Sequence, residues 1–321
     1  MDSGRTGLKR LIIVGLPRSG TTLVATLLGA QTGIHFLTDY FPAFTEALRR
    51  LEKPWNAPLD QHQRRIALAL VRDQFLRVRH PVLVKLDAFA TLDELHQQVL
   101  AELAAQSDAW IGHKLLLPPP DLRSTLAETS IHCLLLVRDV RDAALSFFHR
   151  TGGGVERYAR TWCETLRVAR QLERHPRLLA LRFEDLLESP ERTLATLGRW
   201  LGVELDMNVS QLRFQRSQAH GTTPWSENSA FQDVKGRFDR QPIGRWRSQL
   251  DSPIVRYAGW VARRELEDWG YEAMPRGFSP RERFSLSCLR VLEVTEHRAH
   301  DSVSAAGRWL KRRLAAQGTG C

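Results

Sequence analysis

Short unbroken apolar blocks alternate along the chain with longer stretches in which apolar positions recur at about i, i+3, i+4 and i+7. The blocks at 11–15, 131–137 and 178–181 predict buried strands, with shorter candidates at 82–84 and 110–112; the periodic stretches at 21–28, 91–106, 157–171 and 190–201 predict helices. Ser189 followed by Pro190 suits the opening turn of the last helix. Strands spaced by helices of this length predict crossover units, hence an α/β fold with a mostly parallel central sheet. Residues 206–245 are polar and aperiodic, which predicts a long ordered or lid-like loop, and 280–317 reads as a basic, partly amphipathic helical extension. The expected organisation is one domain over 1–275 and an extension over 276–321.

Composition adds boundaries. The 321 residues are 43% hydrophobic and 26% charged, ordinary for a chain that buries a real core. Cys133, Cys163, Cys288 and Cys321 form no C-x-x-C pair and read as reduced thiols, so a cytoplasmic, reducing compartment is expected. The apolar run at 11–16 passes straight into Gly-Leu-Pro-Arg-Ser-Gly, too short for a secretory core, and no stretch reaches the ~18 to 20 apolar residues of a membrane span. The net charge is +10, and residues 276–321 carry nine Lys/Arg against four Asp/Glu. Such a balance suits a nucleotide with several phosphates, an acidic acceptor, nucleic acid or an anionic membrane; charge alone does not choose among them.

The segment Leu11-Ile-Ile-Val-Gly15-Leu-Pro-Arg18-Ser19-Gly20-Thr21-Thr22 reads as strand, tight turn and helix start. Glycines let the backbone approach a ligand, and the unpaired N–H groups of the helix N-terminus make an anion site. Ser19, Thr21 and Thr22 add hydroxyls, and Arg18 a planar charge. The spacing of Gly15 and Gly20 resembles a nucleoside-triphosphate loop, but the lysine that such a loop requires is replaced by Thr21. The cation sits inside the loop instead, as Arg18, which argues against ATP hydrolysis.

A second charged segment follows the strand at 131–137: Arg138-Asp-Val-Arg-Asp-Ala-Ala-Leu-Ser146-Phe-Phe-His-Arg150. In an open parallel sheet ligands lie outside the carboxyl ends of the strands. If the chain is helical from Asp142, Ser146 and Arg150 share a face one turn apart, and with Arg138 they would form a second anion pocket. The plain alternative is a solvated, charged helix start.

Taken together these residues resemble the sulfotransferase superfamily that uses 3′-phosphoadenosine 5′-phosphosulfate, most closely its tyrosylprotein-type branch. Pro17-Arg-Ser-Gly-Thr-Thr22 resembles the family's 5′-phosphosulfate loop, and Arg138 with Ser146 its 3′-phosphate motif; Arg150 is similar to a further arginine of that branch. Phe183-Glu-Asp-Leu-Leu-Glu-Ser-Pro190, Asn228-Ser-Ala-Phe231 and Ile243-Gly-Arg-Trp246 resemble later signatures, in family order. The resemblance implies a P-loop-like three-layer fold with helices on both faces of the sheet, that donor as co-substrate, and no metal. It implies that Arg18, Ser19, Gly20, Thr21 and Thr22 hold the 5′-phosphate and sulfonate, and that Arg138, Ser146 and Arg150 hold the 3′-phosphate.

In-line transfer also needs a base and positive charge on the leaving oxygens. Asp39, 21 residues beyond Arg18, occupies the place of that branch's catalytic Glu, with His35 as the alternative base; Lys114 resembles the lysine that stabilises the bridging oxygen. Ser229, or else Ser226, resembles a serine near the transferring group, and Arg237 and Arg240 are candidates to close over the 3′-phosphate. Phe183 stands where the branch carries a nucleotide-binding Tyr. The acceptor is expected to bear a hydroxyl, on a carbohydrate, lipid, peptide tyrosine or small phenol; neither 40–109 nor 206–240 carries a readable specificity code. Nucleic acid is not an expected partner. The C-terminal basic run reads first as a solvated helix, with peripheral membrane contact as its alternative.

Overall fold

The computed structural model describes residues 8–40, 42–77, 89–104, 109–115, 119–152, 154–206, 240–275, 277–284 and 286–288. Five strands form its sheet: β1 (Lys9–Val14), β2 (Ile34–Tyr40), β3 (Trp110–Lys114), β4 (His132–Val137) and β5 (Leu178–Arg182). Their order is β2-β3-β1-β4-β5, and every pairing is parallel. The helices are α1 (Thr21–Gly29), α2 (Pro42–Leu51), α3 (Gln61–Arg77), α4 (Leu92–Leu103), α5 (Pro119–Glu128) and α6 (Val140–Thr151). They continue with α7 (Val155–Gln171), α8 (Phe183–Glu188), α9 (Pro190–Leu201), α10 (Pro253–Val261) and α11 (Arg263–Asp268).

Successive side chains of a strand face opposite ways, so a strand covered on both faces must be apolar throughout. Leu11 and Ile13 of β1, with Leu134 and Leu136 of β4, join one core with α1, α8 and α9. Ile12 and Val14, with Cys133, Leu135 and Val137, join a second core with α2 to α7, α10 and α11. This is the expected three-layer α/β arrangement, and among the described residues every strand of the sheet is parallel.

β1 lies mid-sheet, where successive connections turn from one side to the other. The carboxyl end of such a strand opens a crevice, and the glycine loop begins there. Four of the expected strands are present; the candidate at 82–84 lies outside the described residues. β2 was not legible, because an edge strand pairs on one side only and its sequence, Ile-His-Phe-Leu-Thr-Asp-Tyr, has no unbroken apolar run. Thr91 caps α4, accepting from the Glu94 N–H at 3.1 Å, a cap the sequence had not singled out; Ser189, which it had, opens α9 with Pro190 but makes no side-chain capping bond. Pro119 and Pro120 open α5. Of the expected extension, 280–284 and 286–288 are helical and the remainder beyond 288 lies outside the described residues, as do 207–239 of the expected long loop. Among the described residues no helix is long and apolar enough to cross a membrane.

Candidate functional site

The loop after β1 has the tight geometry that its glycines foretold. A Cβ on Gly15 would lie 2.9 Å from the Leu136 carbonyl and 2.7 Å from Ser19 Oγ; one on Gly20, at φ +92°, would lie 2.3 Å from the Phe183 ring. Ser19 Oγ donates to the Leu16 carbonyl at 2.7 Å and closes the turn. The loop is also clamped from outside: Tyr158 of α7 donates to the Pro17 carbonyl at 2.6 Å, and Arg138 Nη1 to the Arg18 carbonyl at 3.0 Å. Phe183 packs against Gly20 and places its ring 5.0 Å from the Arg138 guanidinium, a cation–π contact where the resemblance led one to expect a tyrosine hydroxyl.

The charged segment after β4 divides its labour. Asp139 caps α6 by accepting from the Arg141 N–H at 2.9 Å, and its carboxylate also holds the Arg141 side chain through Nε at 2.9 Å and Nη2 at 2.7 Å. Arg141 is wholly buried, with Trp246 3.6 Å from its Cζ. Asp142 accepts from the Gly244 and Trp246 N–H groups at 2.7 and 2.8 Å and so pins the returning Gly-Arg-Trp segment and its 3₁₀ turn, Arg245–Gln249, over α6. Burial raises the Asp142 carboxyl above the usual range, against the pull of Arg138. Arg138 completes the frame by donating to the Pro242 carbonyl at 2.7 Å.

Between the loop, α6 and the 3₁₀ turn lies a cavity of ≈ 310 Å³ whose lining includes Arg18, Arg138, Ser146, His149, Arg150 and Arg245. Asp142 is the one acid among the described lining residues, and both its oxygens are taken by backbone N–H groups. Burial first, and then the guanidinium groups of Arg150 and Arg138, push Arg18 below the usual arginine range. Such a concentration of positive charge in a half-enclosed space calls for a polyanion. Ser146 and Arg150 sit one turn apart on α6, as the sequence led us to expect. Arg18 donates through Nε to Ser146 Oγ at 2.8 Å, which brings it to this pocket as well. Arg240 does not line the cavity; it donates to the carbonyls of Leu187 and Glu188 at 3.2 and 2.8 Å, and Arg245 is the arginine that its segment supplies.

Lys114, buried at the carboxyl end of β3, donates through Nζ to Thr22 Oγ1 at 3.1 Å, so it stands at the first turn of α1 beside the loop. Its main chain is fixed from the far side of the sheet. Arg10, held by Asp93 at 2.7 Å, donates to His96 Nδ1 at 3.2 Å; His96 Nε2 meets His113 Nε2 at 2.8 Å, and His113 Nδ1 meets the Lys114 carbonyl at 3.1 Å. A donor at one end and an acceptor at the other leave one proton order, with His96 protonated on Nε2, His113 on Nδ1 and both rings neutral. Burial holds His113 down at about 4 and His96 well below the usual histidine range. In the unfolded chain these imidazoles take up protons near pH 6.5, so their contribution is full above that pH and is lost as pH falls toward 4. His113 alone accounts for about 3 kcal/mol. Thermal unfolding from pH 7 to 4.5 is expected to show this loss, and a His96→Leu/His113→Leu double variant a shallower slope; equal slopes would contradict the neutral chain.

Asp39 is placed by its backbone, near the end of β2, where the register with β3 shifts between Leu37 opposite His113 and Tyr40 opposite Lys114. It therefore lies at the same end of the sheet as Lys114, on the neighbouring strand. Ser226, Ser229 and Arg237 lie outside the described residues. The sequence reading missed Tyr158, Asp142 and Arg245. The first two act on backbone groups and leave no motif; Arg245 stood in plain view within the Gly-Arg-Trp signature.

A glycine loop with a cationic pocket beside it, at the carboxyl edge of a parallel sheet, is an α/β arrangement suited to anionic ligands. The model of the sulfotransferase family matches residues 10–207, more than half of the 321-residue chain, and the chain belongs to that family. Among solved structures it is similar to a sulfotransferase domain from the curacin biosynthetic pathway: 16% identity, 83% of this chain, 98% of that one, TM-score 0.56. It is also similar to the sulfotransferase domain of the Synechococcus PCC 7002 olefin synthase: 18% identity, 83% and 95% coverage, TM-score 0.54. At these identities the likeness speaks to the fold. No curated protein sequence matches the chain.

Proposed function

We propose that this protein transfers a sulfonate group from 3′-phosphoadenosine 5′-phosphosulfate to an acceptor hydroxyl. The observation that carries the reading is the joining of two features suited to anions, the glycine loop of Gly15 to Thr22 at the α1 N-terminus and the arginine pocket beside Ser146, at one edge of the sheet in a chain of the sulfotransferase family. A donor with a phosphosulfate at one end and a phosphate at the other fits both. Membership of the family and the likeness of fold support sulfonate transfer in general; the identity of the donor rests on this fit.

In this reading Ser19 to Thr22 and the α1 N-terminus hold the 5′-phosphate and sulfonate oxygens. Ser146 and Arg150, framed by Arg138, hold the 3′-phosphate, with Arg245 added to the set and Arg240 left to anchor its segment. Asp39 takes the acceptor proton as the acceptor oxygen bonds to sulfur. The sulfur–oxygen bond to the 5′-phosphate breaks in line, adenosine 3′,5′-bisphosphate leaves with the electron pair, and Lys114 places positive charge at the oxygen between sulfur and phosphorus. Ser229 is assigned a place near the transferring group. Charge is neutralised by arginine, lysine and backbone N–H groups, and the reading takes no metal. The acceptor is a hydroxyl compound of the classes named above, and a cytoplasmic location accords with the reduced thiols.

Incubation of the purified protein with cell extract and donor labelled in its sulfonate tests the proposal. Mass spectrometry is expected to find label in a hydroxyl-bearing species, with release of adenosine 3′,5′-bisphosphate. Donor bound without any labelled product would instead mark a nucleotide-binding protein without the chemistry.

A further inference from the structure

The resemblance assigns Arg18 to the sulfonate end of the donor, as part of the loop. The structure separates its backbone from its side chain. The backbone lies in the loop at φ +75°, a left-handed conformation that is unfavourable for a residue with a Cβ. The carbonyl is tied to Arg138 at 3.0 Å, and the guanidinium reaches across to α6, where Nε donates to Ser146 Oγ at 2.8 Å. There it shares one cavity with Arg138, Arg150 and Arg245, with His149 adding a further nitrogen base and Asp142 the one described acid.

We infer that Arg18 is a specificity-determining residue for the second phosphate: its side chain binds the 3′-phosphate together with Ser146 and Arg150, while its backbone shapes the cradle for the 5′ end. This deepens the donor reading proposed above and rests on it. A planar guanidinium suits the role, since one N–H can hold a hydroxyl while others bracket phosphate oxygens. Because the same residue bridges both anion sites, occupancy of the 3′ pocket also fixes the loop. A nucleotide without the 3′-phosphate therefore forfeits the contact and leaves an uncompensated cluster of guanidinium groups.

Calorimetry with three probes separates the ends of the ligand: adenosine 3′,5′-bisphosphate, adenosine 3′-monophosphate and adenosine 5′-monophosphate, the weaker ones read by displacement of the bisphosphate. Arg18→Gln is expected to weaken the bisphosphate and the 3′-monophosphate by about 10- to 100-fold, the worth of a charge-assisted hydrogen bond, and the 5′-monophosphate by no more than about 3-fold. Arg18→Lys keeps the charge but not the fork, and is expected to show a smaller loss with the same dependence on the 3′-phosphate. It serves in place of Arg18→Gln should that variant unfold. Equal losses on both monophosphates, or a larger loss on the 5′-monophosphate, would overturn the assignment while leaving the donor reading intact. Failure of the unaltered protein to take up the bisphosphate would overturn the donor reading and this inference with it.

Discussion

Replacing Lys114 by alanine is expected to slow sulfonate transfer by about 10²- to 10³-fold while leaving the affinity for adenosine 3′,5′-bisphosphate within a few-fold of the unaltered protein. Lys114 is buried, its ammonium is held 3.1 Å from Thr22 Oγ1 at the first turn of α1, and its carbonyl is fixed through His113. A charge pre-placed beside the loop acts on the oxygen that gains negative charge only as the sulfur–oxygen bond breaks, so its removal raises the barrier more than it weakens binding. In the proposed reading the two phosphates of the product are held by the loop and the arginine pocket, without Lys114. The check is transfer of labelled sulfonate measured beside calorimetry of the bisphosphate on the same preparations. A parallel collapse of both would make Lys114 a ligand-holding group; no change in transfer would remove it from the site.

The second large effect concerns stability. Arg141→Met is expected to cost about 3 to 5 kcal/mol, a fall in melting temperature on the order of 10 °C, because it leaves the Asp139 carboxylate buried without its counter-ion. The pair is bidentate at 2.9 and 2.7 Å, Arg141 is fully buried, and Trp246 packs on its guanidinium. Asp139 also caps α6, the helix that carries Ser146 and Arg150, so damage here spreads to the cavity. The control is Arg247→Met. That arginine pairs with Glu272 at 2.5 Å, but both partners are about half exposed, and solvent screening holds the cost to roughly 1 kcal/mol or less. Comparable losses for the two variants in thermal melts would show that the buried pair is not what fastens α6.

Sequence and structure agree where one physical requirement dominates. β1 and β4 are covered on both faces and must be apolar throughout, so their blocks stood out; β2, at the edge, can afford His35, Thr38 and Asp39, and its pattern was lost. The loop was legible because Gly15 and Gly20 have no alternative: any Cβ collides with Leu136, Ser19 or Phe183. Ser146 and Arg150 were legible from helical spacing alone. Asp139, Arg141 and Asp142 were not, because a run of charges after a strand looks the same whether it is solvated or folded inward, Asp139 onto Arg141 and Asp142 onto backbone N–H groups 104 and 102 residues away. Phe183 shows a related limit. A departure from the expected tyrosine reads as a lost contact until the ring is seen against Gly20 and Arg138.

The most direct measurement is isothermal titration of the purified chain with adenosine 3′,5′-bisphosphate beside ATP with magnesium. Two phosphates seated in two cradles predict saturable uptake of the first, weakened by Ser146→Ala and by Arg150→Ala, and little or no uptake of the second. Tight binding of ATP with magnesium and none of the bisphosphate would contradict the account.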